Sequence, residues 1–155
     1  MKHDKTLSVN AIQNGTVIDH IPAQNLFTVI SILGLNKLHD NTMTFGTNFP
    51  SGKLGRKAII KVSDKYFEDF EIDKIALVAP SAKLNIIKEY QITEKREVKV
   101  PDEIKGIAKC MNPNCITNNQ NVLTKFRVTV KNGNISLRCN YCEKITDEEH
   151  MEIIQ

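Results

Sequence analysis

All four cysteines of this chain lie in its C-terminal third, where they form two pairs. Four residues separate Cys110 from Cys115, and two residues separate Cys139 from Cys142. Two thiols on each of two tight turns can face each other across a small hairpin, and four thiolates so placed match the tetrahedral preference of Zn²⁺. Because the protein supplies all four ligands, no position remains for water. The spacing therefore predicts one structural zinc ion per chain rather than a catalytic one.

Two disulfides or four unrelated thiols are the alternatives to this metal site. Residues 1–5 are polar and lead into no long apolar run, so we expect no secretory signal. We also expect no membrane span, because no apolar run approaches the ~20 residues that one requires. A cytoplasmic, reducing compartment follows from this interpretation, and disulfides do not persist there. The sequence therefore favours zinc over disulfides and free thiols.

The charge of the chain is unevenly distributed between its two halves. The net charge of +3 is too small by itself to indicate a polyanionic partner. Residues 101–155 carry seven basic and seven acidic side chains, to which a tetrathiolate zinc centre would add two negative charges. Residues 1–100 carry fourteen basic and eleven acidic side chains. We therefore expect an anionic ligand to bind in the N-terminal half, and the zinc half to bind protein.

The main alternative function is that of a zinc-ribbon nucleic-acid-binding protein. The neutral zinc half argues against it, because such binding requires lysine and arginine to displace counterions. A small-molecule-binding enzyme domain is a second alternative, but no catalytic constellation stands out in the sequence. The basic loop at residues 50–57 lacks the Gly-Lys-[Ser/Thr] run of a phosphate-binding P-loop. It could bind phosphate, or it could be a solvated hairpin tip.

The N-terminal half shows the periodicity of an α+β domain. Its apolar residues predict helices from Pro22 to Leu33, ending at Gly34, and from Glu68 to Ala79. The order of strand, helix, strand, strand, helix, strand is typical of the ferredoxin-like βαββαβ fold. Strands are predicted at residues 6–12, 16–18, 42–49, 58–62, 84–87 and 90–92.

A charged linker is predicted at residues 94–102, with one domain at residues 1–100 and a second at residues 101–155. Apolar residues alternate from Phe126 to Val130, Asn132-Gly133 predicts a hairpin turn, and a second strand returns toward Cys139. The second domain is therefore expected to be a small antiparallel β zinc-binding domain. A domain of about 50 residues buries too little apolar surface to be stable by itself, so we expect the bound metal to stabilise it.

Three motifs of this chain closely resemble the signature of aspartate carbamoyltransferase regulatory chains. They are residues 15–24, residues 48–57, and the paired cysteines with Asn140, Tyr141 and Glu143. The resemblance implies a non-catalytic regulatory subunit of pyrimidine biosynthesis, with an N-terminal allosteric domain and a C-terminal zinc domain that docks on the catalytic chain. It also implies that regulatory chains pair as homodimers and bridge catalytic trimers. CTP would inhibit the enzyme, ATP would activate it, and UTP would reinforce CTP.

The same resemblance implies which residues bind the nucleotide. They are expected along the first strand, after the following turn, and on three later segments of the N-terminal domain. Lysines at such a site can neutralise phosphates, an aspartate can accept from ribose hydroxyls, and strand backbone groups with a tyrosine can read a base edge. The implied set is Val9, Asn10, Ala11, Ile12, Asp19, His20, Lys61, Asn85, Ile87, Tyr90, Ile92 and Lys95.

Overall fold

A computed structural model describes residues 11–154 of the chain, and its N-terminal part forms a five-stranded sheet. Every neighbouring pair of strands in this first sheet is antiparallel. The strand order is β2-β3-β1-β4-β5. The strands are β1 (Gly15–Pro22), β2 (Met43–Ser51), β3 (Gly55–Ser63), β4 (Lys83–Lys88) and β5 (Gln91–Glu97).

Two helices cover one face of the first sheet and enclose its core. Helix α1 (Leu26–Ile32) connects β1 to β2, and helix α2 (Asp69–Val78) connects β3 to β4. Apolar residues of the three central strands alternate toward the helices, and the side chains of Ile18, Ile60 and Leu84 are fully buried there. This is the ferredoxin-like arrangement with β5 added at one edge, and the α+β prediction is confirmed.

The start of α1 differs from the sequence prediction. Pro22 is the last residue of β1 rather than the first residue of the helix, and a short 3₁₀ turn at Ala23–Asn25 precedes α1. Pro22 can end β1 because proline satisfies the extended backbone while lacking an N–H donor. Gly34 ends the helix as predicted, in the left-handed conformation with φ 65°. A second 3₁₀ turn follows at Leu35–Lys37.

Two other predictions for the N-terminal half need correction. Ala11 and Ile12 lie outside any strand, so the predicted strand at residues 6–12 is wrong at its C-terminal end, and the remainder lies outside the described residues. The predicted linker at residues 94–102 is wrong for residues 94–97, which belong to β5. Almost every side chain of β5 is exposed, because β5 is an edge strand, and its charged sequence therefore resembled a linker.

The C-terminal part is built from two small antiparallel sheets. A four-stranded sheet has the order β10-β9-β8-β6, and a two-stranded ribbon pairs β11 with β7. Asn132 and Gly133 have φ values of 52° and 79° between β8 and β9, which confirms the predicted hairpin turn. The elements are β6 (Glu103–Lys105), β7 (Ala108–Lys109), α3 (Ile116–Asn119), β8 (Lys125–Lys131), β9 (Asn134–Cys139), β10 (Ile145–Asp147), a 3₁₀ turn at Glu148–His150 and β11 (Glu152–Ile153).

The two parts share apolar packing. Leu77 of α2 is buried among core residues of the C-terminal part, while Val100 and Ile153 pack against both cores. No helix within residues 11–154 has the length and apolar character needed to cross a membrane.

Candidate functional site

The four cysteines converge at one end of the C-terminal sheets. Cys110 follows β7, Cys115 precedes α3, Cys139 ends β9, and Cys142 lies in the turn before β10. Their four Sγ atoms all lie within 4.8 Å of one another. The hairpin of β8 and β9 therefore brings the second pair back to the first, as the sequence predicted.

The Sγ distances fit a tetrahedral metal and exclude disulfides. The Sγ atoms of Cys110 and Cys142 are 3.6 Å apart, and those of Cys115 and Cys139 are 3.7 Å apart. Zinc–sulfur bonds of about 2.3 Å in a tetrahedron place sulfur atoms about 3.8 Å apart, whereas a disulfide requires about 2.05 Å. Four clustered thiols in this geometry fit one structural zinc ion, and the cofactor prediction is confirmed.

The protonation of the cluster shows why a cation is needed there. Burial raises the pKa of the Cys110 thiol to about 12, and burial likewise raises the pKa of Cys139. Burial opposes ionisation of Cys142 too, but hydrogen bonds from the Lys144 N–H and the Asn112 side chain lower its pKa to about 7. Four thiolates together would repel one another, so a divalent cation is required to hold them all deprotonated.

The backbone supports the second cysteine pair. The N–H groups of Tyr141 and Cys142 point at the Sγ of Cys139, at 3.4 Å and 3.5 Å. The turn is closed by a hydrogen bond from the Glu143 N–H to the Cys139 carbonyl, and Glu143 adopts the left-handed conformation with φ 64°. Backbone donors directed at a thiolate stabilise its negative charge.

A second cluster lies on the face of the first sheet that points away from α1 and α2, which we call the open face. Lys61 of β3 and Asn85 of β4 both pair with Val17 of β1, and Lys95 of β5 pairs with Asn85. Directly paired residues project from the same face of a sheet, so these four residues form one row across four strands. Three of the four are residues that the resemblance implied, whereas Val17 was missed.

Apolar residues lie next to Asn85 and Lys95 of this row. Ile87 of β4 pairs with Ile92 of β5, and Tyr90 lies in the turn between them with φ 66° and 65% of its surface exposed. The Tyr90 N–H donates to the carbonyl of Gln13, which ties the segment that follows Ala11 and Ile12 to the same turn. Two further implied residues, Val9 and Asn10, lie outside the described residues.

The remaining implied residues occupy a bulge in β1. The pairing of β1 with β3 shifts register between Ile18 and Ile21, and His20 takes a φ of 60° there. The His20 N–H donates to Oδ1 of Asp19 at 2.6 Å. The buried Nδ1 of His20 lies 3.4 Å from the other carboxylate oxygen but has no hydrogen bond to the described residues. Such unsatisfied buried polar atoms require an explanation, and a ligand contact is one.

Positive charge accumulates beside Asp19. The Lys57 ammonium lies 3.1 Å from the Asp19 carboxylate. Burial lowers the pKa of Lys61, and the charge of Asp19 partly opposes this shift. Sequence reasoning did not single out Lys57 or Val17. The strand pattern of residues 16–18 and of β3 indicates which face each side chain takes within its own strand. Only the pairing register shows that Val17 and Lys57 share one face of the sheet.

Comparison with known proteins covers almost the whole chain. Residues 7–99 match the model of the aspartate carbamoyltransferase regulatory chain, allosteric domain, and residues 102–152 match the model of the metal binding domain of the same chain. The chain is 52% identical over 153 residues to the aspartate carbamoyltransferase regulatory chain of Bacteroides fragilis, covering 99% of each protein. It is 53% identical over 146 residues to that of Pyrococcus horikoshii, covering 94% of this chain and 95% of the relative.

Proposed function

This chain belongs to the family of aspartate carbamoyltransferase regulatory chains, and from that premise we propose that it senses CTP, ATP and UTP on behalf of a separate catalytic chain. The family resemblance inferred from the motifs is thereby confirmed, as is the expectation of a regulatory rather than a catalytic subunit. In this proposal the chain pairs with a second copy through its N-terminal domain, bridges catalytic trimers, and works in the cytoplasm in pyrimidine biosynthesis.

The observation that carries the nucleotide proposal is the row of Lys61, Val17, Asn85 and Lys95 on the open face. Two lysines at opposite ends of a row can bind separate phosphate oxygens of a triphosphate through charge-assisted hydrogen bonds. Asn85 offers both an amide donor and a carbonyl acceptor, which suits a base edge or a ribose hydroxyl.

The apolar residues beside Asn85 and Lys95 suit the base of the nucleotide. Ile87 and Ile92 form a cross-strand apolar pair, and the ring of Tyr90 stands exposed beside them. An aromatic base could therefore bury its faces there while its phosphates reach the lysines. The hydrogen bond from the Tyr90 N–H to the Gln13 carbonyl ties the segment that contains Ala11 and Ile12 to these apolar residues.

We assign the two tasks to two domains, residues 1–100 for nucleotide binding and residues 101–155 for docking on the catalytic chain. The zinc domain has equal numbers of basic and acidic side chains, so its surface lacks the positive charge that nucleic acid attracts. It carries exposed apolar side chains at Met111, Tyr141 and Ile145 around the metal centre, which suit a protein partner.

Co-expression with the catalytic chain of the same organism tests this function. The two chains should co-purify as a stoichiometric complex, and CTP and ATP should alter the activity of that complex in opposite directions. The isolated chain should show no turnover of carbamoyl phosphate and aspartate. Failure to co-purify would overturn the docking assignment. A salt-sensitive gel shift with DNA or RNA would instead favour the zinc-ribbon alternative.

A further inference from the structure

The short helix α3 directly follows the first cysteine pair, and three of its side chains turn back onto it. We refer to residues 110–115 as the first cysteine loop. The Asn118 amide donates to the carbonyl of Cys110 at 2.9 Å and to the carbonyl of Asn112 at 2.7 Å. One side chain therefore ties together two points of the loop, one of which is a cysteine that binds the metal.

The two neighbours of Asn118 contact the same loop. The Asn119 amide donates to the carbonyls of Pro113 and Cys115, at 3.0 Å and 2.8 Å. The Thr117 hydroxyl donates to the Sγ of Cys115 at 3.2 Å. Three consecutive side chains thus make five hydrogen bonds to the first cysteine loop.

The two cysteine loops differ in length, which explains why the first requires this support. Only two residues separate Cys139 from Cys142, and backbone N–H groups of that short turn already point at Cys139 Sγ. Four residues separate Cys110 from Cys115, so that loop has more backbone freedom to lose when it binds metal. Side chains that hold its carbonyls in place reduce this cost before the metal arrives.

We propose that α3 is a clamp that holds the first cysteine loop in its zinc-binding geometry, with Asn118 and Thr117 as positioning residues. Asn118 fixes the backbone on either side of Met111, and thereby the direction of the Cys110 thiolate. Thr117 donates to the Cys115 thiolate and withdraws charge from that sulfur. Outer partners of metal ligands typically change metal affinity 10–100-fold when they are removed.

The role of Asn118 is tested with a substitution that preserves its shape. Asn118→Asp replaces the amide donor by a carboxylate that faces two carbonyl oxygens, so it removes both hydrogen bonds without changing the size of the side chain. We expect the full chain to bind zinc about 10–100-fold more weakly than the parent. Competition with a chromophoric zinc chelator measures this affinity, and Asn118→Ala removes the donors without adding charge.

Asn121→Asp is the matched control for charge, because Asn121 is exposed on the next loop and undergoes the same chemical change. It should leave zinc affinity within about twofold of the parent. Circular dichroism at saturating zinc shows whether each variant still folds. Zinc affinity of both Asn118 variants within twofold of the parent would overturn the role of Asn118.

The role of Thr117 is tested with a pair of variants. Thr117→Val removes the hydroxyl and keeps the branched shape, whereas Thr117→Ser keeps the hydroxyl. With Co²⁺ in place of zinc, the thiolate-to-cobalt charge-transfer band should shift in Thr117→Val and return to the parent position in Thr117→Ser, because a hydrogen bond to sulfur changes the energy at which the thiolate transfers charge to the metal. An unshifted band in Thr117→Val would overturn this part of the proposal, even if the Asn118 variants behaved as expected.

Discussion

The two parts of this molecule hold their structures by different means. The first sheet and its helices bury a continuous apolar cluster that includes Ile18, Ile60 and Leu84, each fully inaccessible to solvent. In the second cluster, three of the ten buried members among the described residues are cysteines of the metal centre. Hydrocarbon burial can stabilise the first part by itself, whereas the second part depends on a metal for much of its interior.

Because of this difference, the two parts respond differently to a single substitution. A domain stabilised by apolar packing loses a few kcal/mol when one core side chain is truncated. A small domain stabilised by zinc loses most of its folding free energy when one ligand is removed, since metal binding and folding are one event. Damage to one part should therefore leave the other part intact.

The largest effect is expected from removal of one zinc ligand. Cys139→Ala leaves three ligands, and structural zinc contributes on the order of 10–16 kcal/mol of apparent binding free energy in small zinc domains. The variant should lose zinc, loosen its C-terminal part and fail to assemble with the catalytic chain, while the N-terminal part still binds CTP. Elemental analysis measures the zinc content, sedimentation of the mixed chains measures assembly, and calorimetric CTP titration measures nucleotide binding.

Ser136→Ala is the control for Cys139→Ala, because it changes the same strand without touching a metal ligand. It should keep zinc and assembly. CTP binding that disappears together with zinc would contradict the independence of the two parts. Assembly that survives the loss of zinc would contradict the docking role.

The opposite test is a substitution in the apolar core of the first sheet, which should leave the zinc site unchanged. Ile60 of β3 is fully buried in the apolar core, so Ile60→Ala should leave a cavity and lower the free energy of unfolding of the N-terminal part by about 2–5 kcal/mol. Zinc affinity should not change. Phe27 is 71% exposed, and Phe27→Ala should change stability by only about 0.5 kcal/mol. Chemical denaturation with zinc measured in parallel would show whether the two cores unfold separately.

Lysine substitutions on the open face should have a smaller and more local effect. Lys61→Ala and Lys95→Ala should each weaken CTP and ATP binding by roughly ten- to a hundredfold, because each loses a charge-assisted contact worth about 1.5–3 kcal/mol. Lys131→Ala, at the exposed end of β8, is the control and should leave nucleotide binding unchanged. Unaltered affinity in both open-face variants would refute the proposed nucleotide site.

The pH dependence of nucleotide binding provides a second test of the role of Lys61. Burial lowers the pKa of Lys61, so its ammonium loses its proton at a lower pH than an ordinary lysine. Nucleotide affinity should therefore start to fall earlier on the alkaline side, and Lys61→Arg should move that fall to higher pH. In the absence of nucleotide, the contribution of Lys61 to the free energy of unfolding changes in the opposite direction. Because the pKa of Lys61 is lower in the folded state, this contribution increases as pH rises through that pKa.

The smallest effect is expected at the exposed pair near the C-terminus. His150 Nδ1 lies 2.6 Å from the Asp147 carboxylate, and this hydrogen bond raises the pKa of His150 and lowers that of Asp147. The stabilisation from His150 is complete below its unfolded pKa of about 6.5 and is lost as pH rises through its higher folded pKa. The contribution from Asp147 is present above its unfolded pKa and is lost as pH falls through its lower folded value.

Asp147→Asn should lower the pKa of His150, and an NMR titration of the imidazole protons measures the change. Asp102→Asn is the control, because Asp102 immediately precedes β6, which lies at the opposite edge of the four-stranded sheet from β10. Zinc affinity and nucleotide binding should remain unchanged in both variants. A His150 titration that is identical in Asp147→Asn would refute the hydrogen bond.

The metal centre could be predicted from the sequence because its chemistry is local. The short spacings within each cysteine pair, with the Asn132-Gly133 turn between the pairs, largely determine the geometry. The clamp of Thr117, Asn118 and Asn119 could not be predicted, since these polar residues resemble any exposed loop until their hydrogen-bond partners are known.

The open face could be predicted only in part, because it depends on pairing between distant strands. Lys61 and Lys95 each resembled an ordinary surface lysine in the sequence, and the resemblance to a family, rather than periodicity, drew attention to them. Only the register of β3, β1, β4 and β5 brings them into one row with Val17 and Asn85. Residues 94–97 of β5 were assigned to a linker for a related reason, since an edge strand exposed on both faces shows no alternation.

Leu77 limits how freely the two parts could be recombined by protein engineers. It belongs to α2 by chain position, yet its side chain is 3% exposed and packs in the interior of the C-terminal part. A chimera that joined residues 1–100 to a foreign zinc domain would need an apolar socket for this leucine. Without one, the fusion would expose the side chain at a cost of about 1.5–3 kcal/mol. A foreign zinc domain is therefore suitable for such a fusion only if its interior can bury the Leu77 side chain.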